Sequence, residues 1–445
     1  MKILHYTLGL PPMRSGGLTR YAIDLMGEQA KSNEVVHLYP GKIDFINKKT
    51  RIKKNNKVEG KISHWEIINS LPLPVFRGIK EPNDFMISIS KEIYTNFLYE
   101  INPDVIHIHT LMGLHKEFFE AVKELGIKMI YTTHDYFGIC PTINLYKDRE
   151  NINCNNYNEG KGCLECCCNA MGTRSLLLTQ TSIYPMLKKF KKIITAKKGN
   201  EIPERSDGDV KDLDGALAHN YIVLREFYFD MLRKIDFFHF NSTLTEKVFK
   251  AYLPGIAGRV VDITHGGIKQ KSVGKTKNHK IRIGYLGPLK EHKGFFILLD
   301  AFKQLPSDQY ELHLYGDNAK TDPIENVYLH GRYSREELES IFAEIDVLVV
   351  PSVWQETFGF VTLEGLSYGT PVIVSKNVGS KDIVKEEFGW TINSNSSSEL
   401  FKLLSSLTKE ILYVKHLKIE EVCKVDIMEK HSKDMCEQIY SKIVK

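Results

Sequence analysis

The run from Ile345 to Ser375, IDVLVVPSVWQETFGFVTLEGLSYGTPVIVS, constrains this chain more than any other stretch. Val347 to Val350 is a continuous apolar run bounded by Asp346 and Pro351, which is how a strand buried on both faces reads. Pro371 to Val374 repeats the pattern. Between them the residues predict a loop and a short helix. That helix starts near Gly359 or Phe360 and stops at Tyr368-Gly369, a glycine stop.

Two carboxylates interrupt this apolar unit. Glu356 falls in the loop, and Glu364 sits in the helix among Val361, Leu363, Gly365 and Leu366. A glutamate on so apolar a helix is costly unless something bonds it. The positions three and four residues away are Phe360, Val361, Ser367 and Tyr368, so an ordinary helical ion pair is excluded. Just after Gly359 the helix start presents unpaired backbone N–H groups and the positive end of its dipole, an anion cradle. Two carboxylates beside such a cradle suit a polyhydroxylated, phosphorylated ligand. The alternative is a solvated Glu356 and a Glu364 that reaches a distant arginine or a backbone N–H.

Glu356 and Glu364, seven residues between them, lie within PSVWQETFGFVTLEGLSYGTPVIVS. Together they resemble the signature of the retaining glycosyltransferases of family 4 (glycosyl transferases group 1), which have the GT-B fold. The resemblance implies an α/β chain of two Rossmann-like, doubly wound domains facing each other across a cleft. It also implies roles. Glu364 would accept from ribose hydroxyls and Glu356 would hold hydroxyls of the donor sugar. Phe358, Gly359 and Phe360 would position the donor.

The rest of the chain extends the pattern. With 445 residues, 42% of them hydrophobic, two or three full cores are expected. A net charge of +5 is too mild to argue for a nucleic-acid partner. No apolar run approaches the roughly 18 residues of a membrane span. MKILHYTLGLPPM has a short apolar core broken by His5 and followed by Pro11-Pro12, so it reads as a first strand rather than a signal peptide. A cytoplasmic protein is expected, peripheral at most to the inner face of a membrane.

Strand Lys2 to Tyr6, the loop Ser15-Gly16-Gly17 and an amphipathic helix from about Leu18 to Ala30 make a Rossmann-like opening, but without the spacing of a dinucleotide fingerprint. By resemblance, Gly16 and Gly17 approach the donor phosphates. Helix 84–100, strand Val105–His109, helix 112–125 and strand Ile127–Thr132 alternate as a doubly wound sheet should. Ligands bind beyond the carboxyl ends of such strands, where His109 and His134 both stand. His134, in YTTHDYFGICP, also resembles the family's histidine on the donor sugar.

Six of the eight cysteines crowd into 140–168. Cys163 and Cys166 have ligand spacing, and Cys140 and Cys154 complete a candidate four-thiolate structural zinc site, with free or buried thiols as the alternative. In 186–198, MLKKFKKIITAKK, one apolar face is set against six lysines, as in a helix lying on an anionic membrane beside a lipid-linked acceptor; an ordinary solvated helix fits equally. Helix 217–234, strand Phe237–Phe240, a helix near 244–252 and strand Val260–Ile263 return to the sheet. The lysine-rich stretch 269–280 has linker composition.

The second half restarts at strand Ile281–Leu286, followed by GPLKEHKG and helix 295–305. Family members carry an arginine and a lysine in this loop, both on the donor diphosphate. Lys293 matches the lysine. Pro288 holds the arginine's place and can neither carry charge nor donate, so Lys290 or His292 would have to substitute. Gly331 and Arg332 match the loop that reads the nucleotide base.

The expected domains are 1–275 for the acceptor, with the cysteine-bearing insertion at about 140–215, and 281–410 for the donor nucleotide. Helices at 411–445 would cross back onto the first domain. The expected reaction is retaining transfer from a nucleotide-diphosphate sugar to a sugar or lipid-linked acceptor hydroxyl, in cell-surface polysaccharide or glycolipid synthesis. His134, Glu356 and Lys293 would carry it. No catalytic cofactor is expected, since no Asp-x-Asp pair occupies a suitable loop. The other readings are a glycoside hydrolase, an inactive binding or scaffold protein on this fold, and a sugar-nucleotide epimerase or phosphorylase.

Overall fold

The computed structural model describes residues 1–56, 60–74, 78–181, 200–201, 215–316, 319–320 and 324–444. The proposed membrane helix at 186–198 lies outside these residues. Two parallel sheets carry the architecture. The first contains β1 (Lys2–Tyr6), β2 (Glu34–Pro40), β3 (Arg51–Lys54), β4 (Ser63–Ile68), β5 (Val105–Ile108), β6 (Lys128–Thr132), β7 (Phe237–Phe240) and β8 (Gly258–Val260). Its spatial order is β8-β7-β6-β5-β1-β2-β4-β3, with only the edge pair β3–β4 antiparallel.

The second sheet contains β9 (Ile281–Leu286), β10 (Tyr310–Tyr315), β11 (Val327–Gly331), β12 (Val347–Val350), β13 (Val372–Ser375) and β14 (Gly389–Ile392), ordered β11-β10-β9-β12-β13-β14. All its pairings are parallel. Val347, Leu348, Ile373 and Val374 are fully buried, because helices cover both faces of such a sheet.

Several expected boundaries move for local reasons. The helix expected over 84–100 begins only at Glu92, after a 3-10 turn at Pro82–Phe85. Pro82 fixes that turn, and the intervening ISIS run has weak helix propensity. The helix expected from 112 begins at Lys116, because Gly113 takes a φ of +84° and His115 is extended. The strand expected at Val260–Ile263 pairs instead over Gly258–Val260.

The linker is not loose. Lys271, Val273 and Thr276 donate backbone N–H groups to Ser367, Tyr368 and Ala343. The half-buried Lys275 reaches the carbonyls of Phe342 and Ile345 and the hydroxyl of Thr370 with its ammonium. Stretch 271–276 is thereby tied to the second domain.

Past β14, the chain returns to the first domain. Met428, Met435, Ile439 and Tyr440 share one apolar cluster with Ile3, Tyr21, Leu25 and Val105. This closes the sheet face above β1 and β5 and leaves the carboxyl ends of both sheets on the cleft.

Candidate active site

Helix α1 (Gly17–Gln29) and helix α2 (Phe360–Ser367) face each other across the cleft. Gly16 takes a φ of +117°, in the left-handed region that favours glycine. A Cβ on Gly17 would lie 3.3 Å from the Phe360 ring, so the bare backbone is what lets the two helix starts approach. Gly359 precedes α2 with a φ of +91°, and a Cβ there would lie 2.8 Å from Val378. The helix bounds follow the sequence reading: Gly359 caps its start, and Gly369 follows its end with a φ of +76°.

Glu356 is held from two sides. Lys293 Nζ donates to Oε1 at 2.8 Å and Ser352 Oγ donates to Oε2 at 2.7 Å. The Lys293 ammonium also stands 4.9 Å from the centre of the Trp354 ring. Burial pushes the Glu356 carboxyl up, but Lys293 and Ser352 outweigh it and hold it below the ordinary glutamate range. The loop is clamped by its own backbone: Glu356 N donates to Asn377 O and Gly379 N to Glu356 O. Phe358 is buried, and its carbonyl accepts from Ser380 N at 2.7 Å.

Glu364 is 5% exposed, and its partner comes from the other domain. Arg20, in the first turn of α1, donates Nη1 to Oε1 at 2.9 Å. His265 Nε2 stands 3.2 Å from the same oxygen. Burial lowers the His265 pKa although Glu364 opposes it. Arg20 Nε and Nη2 are buried without a hydrogen-bond partner among the described residues. Of the two readings of Glu364, the structure shows the distant arginine. Neither Arg20 nor His265 was singled out from sequence as a partner, because 344 residues separate Arg20 from Glu364. The available signal was a cation one turn beyond Gly16-Gly17.

His134 follows β6 at the cleft. Its carbonyl accepts from Thr357 Oγ1 at 2.9 Å, and its ring lies 3.3 Å, nitrogen to nitrogen, from His109. Asp135 fixes the turn by accepting from Phe137 N at 2.9 Å and Thr110 Oγ1 at 3.2 Å, and burial pushes its carboxyl up to about 6. Further contacts across the cleft join Ser242 Oγ to Thr357 O at 2.7 Å and Thr243 to both oxygens of Asp382. Gly331 ends β11, the edge strand of the second sheet, and Arg332 follows it. The phenol of Tyr333, next in the chain, is raised by burial and then by Glu364, so this loop lies beside the Arg20–Glu364 pair.

Of the proposed substitutes for the missing arginine, His292 is pushed down to about 4, by burial first and then by Lys293 and Lys290. A neutral imidazole cannot replace that charge. Lys290 stays exposed on the loop.

The cysteine-bearing segment reaches the same cleft. A short hairpin, Tyr146–Lys147 with Ile152–Asn153, presents Asn153 to the loop of the second domain. Asn153 Nδ2 donates to Val353 O and its Oδ1 accepts from Gln355 N, both at 2.9 Å. Arg225 packs this segment, its guanidinium 4.1 Å from the centre of the Tyr157 ring. All eight cysteines are free thiols, and burial raises those of Cys154, Cys163 and Cys166. Among the described residues, the triad with ligand atoms within 4.8 Å of one another is His5, His107 and His109, not a set of cysteines. Cys140 and Cys154 add to the rise at Cys163, and Cys140, Cys163 and Cys154 add to the rise at Cys166, so the four thiols of the candidate zinc site share one neighbourhood. No described helix is long and apolar enough to cross a membrane.

Comparison with known proteins places these features. Residues 268–418 match the sequence profile of the family Glycosyl transferases group 1. An uncharacterized 41.2 kDa protein in the cps region of Klebsiella pneumoniae is 29% identical over 146 residues, which is 32% of this chain and 40% of that one. The alignment thus spans less than half the length of that relative. The Anabaena protein HepE, solved in complex with UDP, superposes with a TM-score of 0.57 at 14% identity, covering 99% of this chain and 100% of that one. A UDP-forming α,α-trehalose-phosphate synthase of Burkholderia xenovorans, solved with glucose-6-phosphate, gives 0.57 at 11% identity, over 98% and 99%. The chain has the GT-B fold, and its residues 268–418 form a glycosyl transferases group 1 domain.

Proposed function

We propose that this protein transfers a sugar from a nucleotide-diphosphate sugar to an acceptor hydroxyl, with retention at the anomeric carbon. The observation that carries the reading is the Glu356–Lys293 pair in the interdomain cleft, a hydroxyl-binding carboxylate beside a phosphate-binding cation. Cleaving the anomeric C–O bond builds negative charge on the departing diphosphate. Lys293 and the N–H groups at the start of α2 are preorganised to stabilise it. Glu356 orients the sugar hydroxyls, and His134 bonds the sugar from the opposite wall.

Glu364 takes the ribose hydroxyls by exchanging Arg20 for them. The freed guanidinium then supplies the second cation that Pro288 cannot. In a same-face mechanism the leaving phosphate accepts the acceptor's proton, so no further base is needed. The acceptor is a sugar or a lipid-linked saccharide, and a relative from a cps region supports a place in surface polysaccharide synthesis. The structural neighbours solved with UDP and with a sugar phosphate agree with such a donor and acceptor.

The test is nucleotide release from a panel of UDP-, GDP- and ADP-sugars, with and without lipid-linked acceptors, with the product's anomeric configuration read by NMR. Acceptor-dependent release with retained configuration is expected. Binding without turnover would instead indicate a scaffold.

A further inference from the structure

Beneath His134 the buried polar groups of the first domain form one hydrogen-bonded chain, and its direction can be assigned. His239 Nε2 lies 2.8 Å from the Val261 carbonyl, which only accepts, so that nitrogen carries the hydrogen. A neutral imidazole has one hydrogen, so His239 Nδ1 accepts from the Thr132 hydroxyl at 2.8 Å. Thr132 has then spent its hydrogen and accepts from His107 Nε2 at 2.6 Å. His107 Nδ1 accepts from the Tyr440 hydroxyl at 2.6 Å, and Tyr440 accepts from the Gln29 amide at 3.2 Å.

The amide of Gln29 is thereby oriented. Its oxygen accepts from His5 Nε2 at 2.7 Å, His5 Nδ1 accepts from His109 Nε2 at 3.0 Å, and His109 Nδ1 accepts from His134 Nε2 at 3.3 Å. With neutral rings no other assignment gives every contact one hydrogen.

The rings are neutral near pH 7. Burial pushes His5 and His239 down to about 4 and lowers His107, His109 and His134 as well. The facing nitrogens of His5, His107 and His109 are spent on these bonds, which argues against a metal there. His134 Nδ1 is left unprotonated and without a partner among the described residues, on a half-buried ring at the cleft.

We propose that this chain is a tautomer lock: it holds His134 Nδ1 as an obligatory acceptor, so that only a donor sugar offering a hydroxyl hydrogen is bound there. Gln29, His5 and His109 are positioning residues, acting through His134. The sugar contact rests on the glycosyltransferase reading above; the lock itself does not.

The experiment is a long-range proton–nitrogen correlation spectrum of the full chain labelled with nitrogen-15 histidine, with His134 assigned by its loss in His134→Asn. A pyridine-like Nδ1 and a protonated Nε2 are expected at pH 7 without ligand. A protonated Nδ1, or a tautomer mixture, overturns the lock. Gln29→Met cuts the chain and should turn His134 into a mixture, with kcat/KM for an intact nucleotide sugar falling about tenfold and UDP affinity unchanged. Gln29→Glu, in its protonated form, accepts from His5 and donates to Tyr440, losing only the 3.9 Å amide contact with Cys436 Sγ, and should restore both. Should Gln29→Met leave the spectrum unmoved, or Gln29→Glu fail to restore a single tautomer, Gln29 is not a link and the proposal falls. A wild-type protein that binds no nucleotide sugar overturns the sugar contact while the spectrum still decides the lock.

Discussion

The two carboxylates of the cleft stand eight positions apart on one loop-helix unit, yet they are held in opposite ways. Glu356 takes both of its partners, Lys293 and Ser352, from its own domain. Glu364 takes Arg20 from the other. The Glu356 end is therefore complete within the second domain, whereas the Glu364 end is complete only where the two domains meet. A partner in the same domain costs little to order, because the fold has already placed it. A partner across a hinge links the state of the carboxylate to domain position. Binding of a nucleotide at Glu364 would thus trade one closure contact for another.

The largest expected effect breaks the Glu356 end. Glu356→Ala should lower kcat on the order of 10²–10³-fold, as loss of a preorganised polar group at a reacting centre does. The melting temperature should move by less than about 5 °C, since the clamping backbone bonds remain. Nucleotide release and calorimetry measure the two, and unchanged activity would remove Glu356 from the site.

Arg20→Ala attacks the other end. Glu364 would lose its interdomain cation, and the loss should appear as a more open cleft in small-angle X-ray scattering, with kcat/KM down roughly tenfold. If cleft width is unaltered, Glu364 pairing is not coupled to closure. A milder effect is expected from Asn153→Ala. It removes two hydrogen bonds across the cleft, worth about 1–2 kcal/mol together, so a two- to tenfold rise in KM with kcat unchanged is the expected split.

Acid titration gives the smallest and most selective readout. The Glu356 pKa is depressed in the fold, so the Lys293 pair stabilises the protein fully above the unfolded glutamate value of 4.5. That contribution is lost as pH falls through the lower folded value. The acid limb of a stability profile should soften in Lys293→Met. An identical limb in the variant would show that the pair contributes nothing there.

Much of this site could be read without coordinates. The apolar runs at Val347 and Pro371 gave two adjacent buried strands, and Gly359 and Gly369 bounded the helix between them. The contradiction of a glutamate on an apolar helix marked Glu364 as needing a partner. Its identity could not be read, since helical periodicity reports neighbours within one turn and Arg20 belongs to another domain. The histidine chain left a fainter trace: KILHY, VIHI and FFHF each carry one of its histidines in an apolar strand, and His37 of EVVHLYP, bonded to Thr7 and His64, lies outside it. In the sheet His5 stands in register with both His37 and His107. Asn153 left none, because a polar residue in an irregular insertion has no pattern to break.

The order of residues by itself determined the alternation of strand and helix, the glycine turns at the cleft, and the presence of two acidic groups that demanded ligands or partners. Those follow from local sterics and from the cost of burying a charge, which act over a few residues. Only the tertiary structure decided that Arg20 meets Glu364, that Asn153 clasps the Val353–Gln355 loop, and that Tyr440 bonds both His107 and Gln29. The reason is that crossover connections and a returning C-terminal helix bring together groups hundreds of positions apart. Which of these meet is fixed by sheet order and packing, quantities that no window of sequence contains.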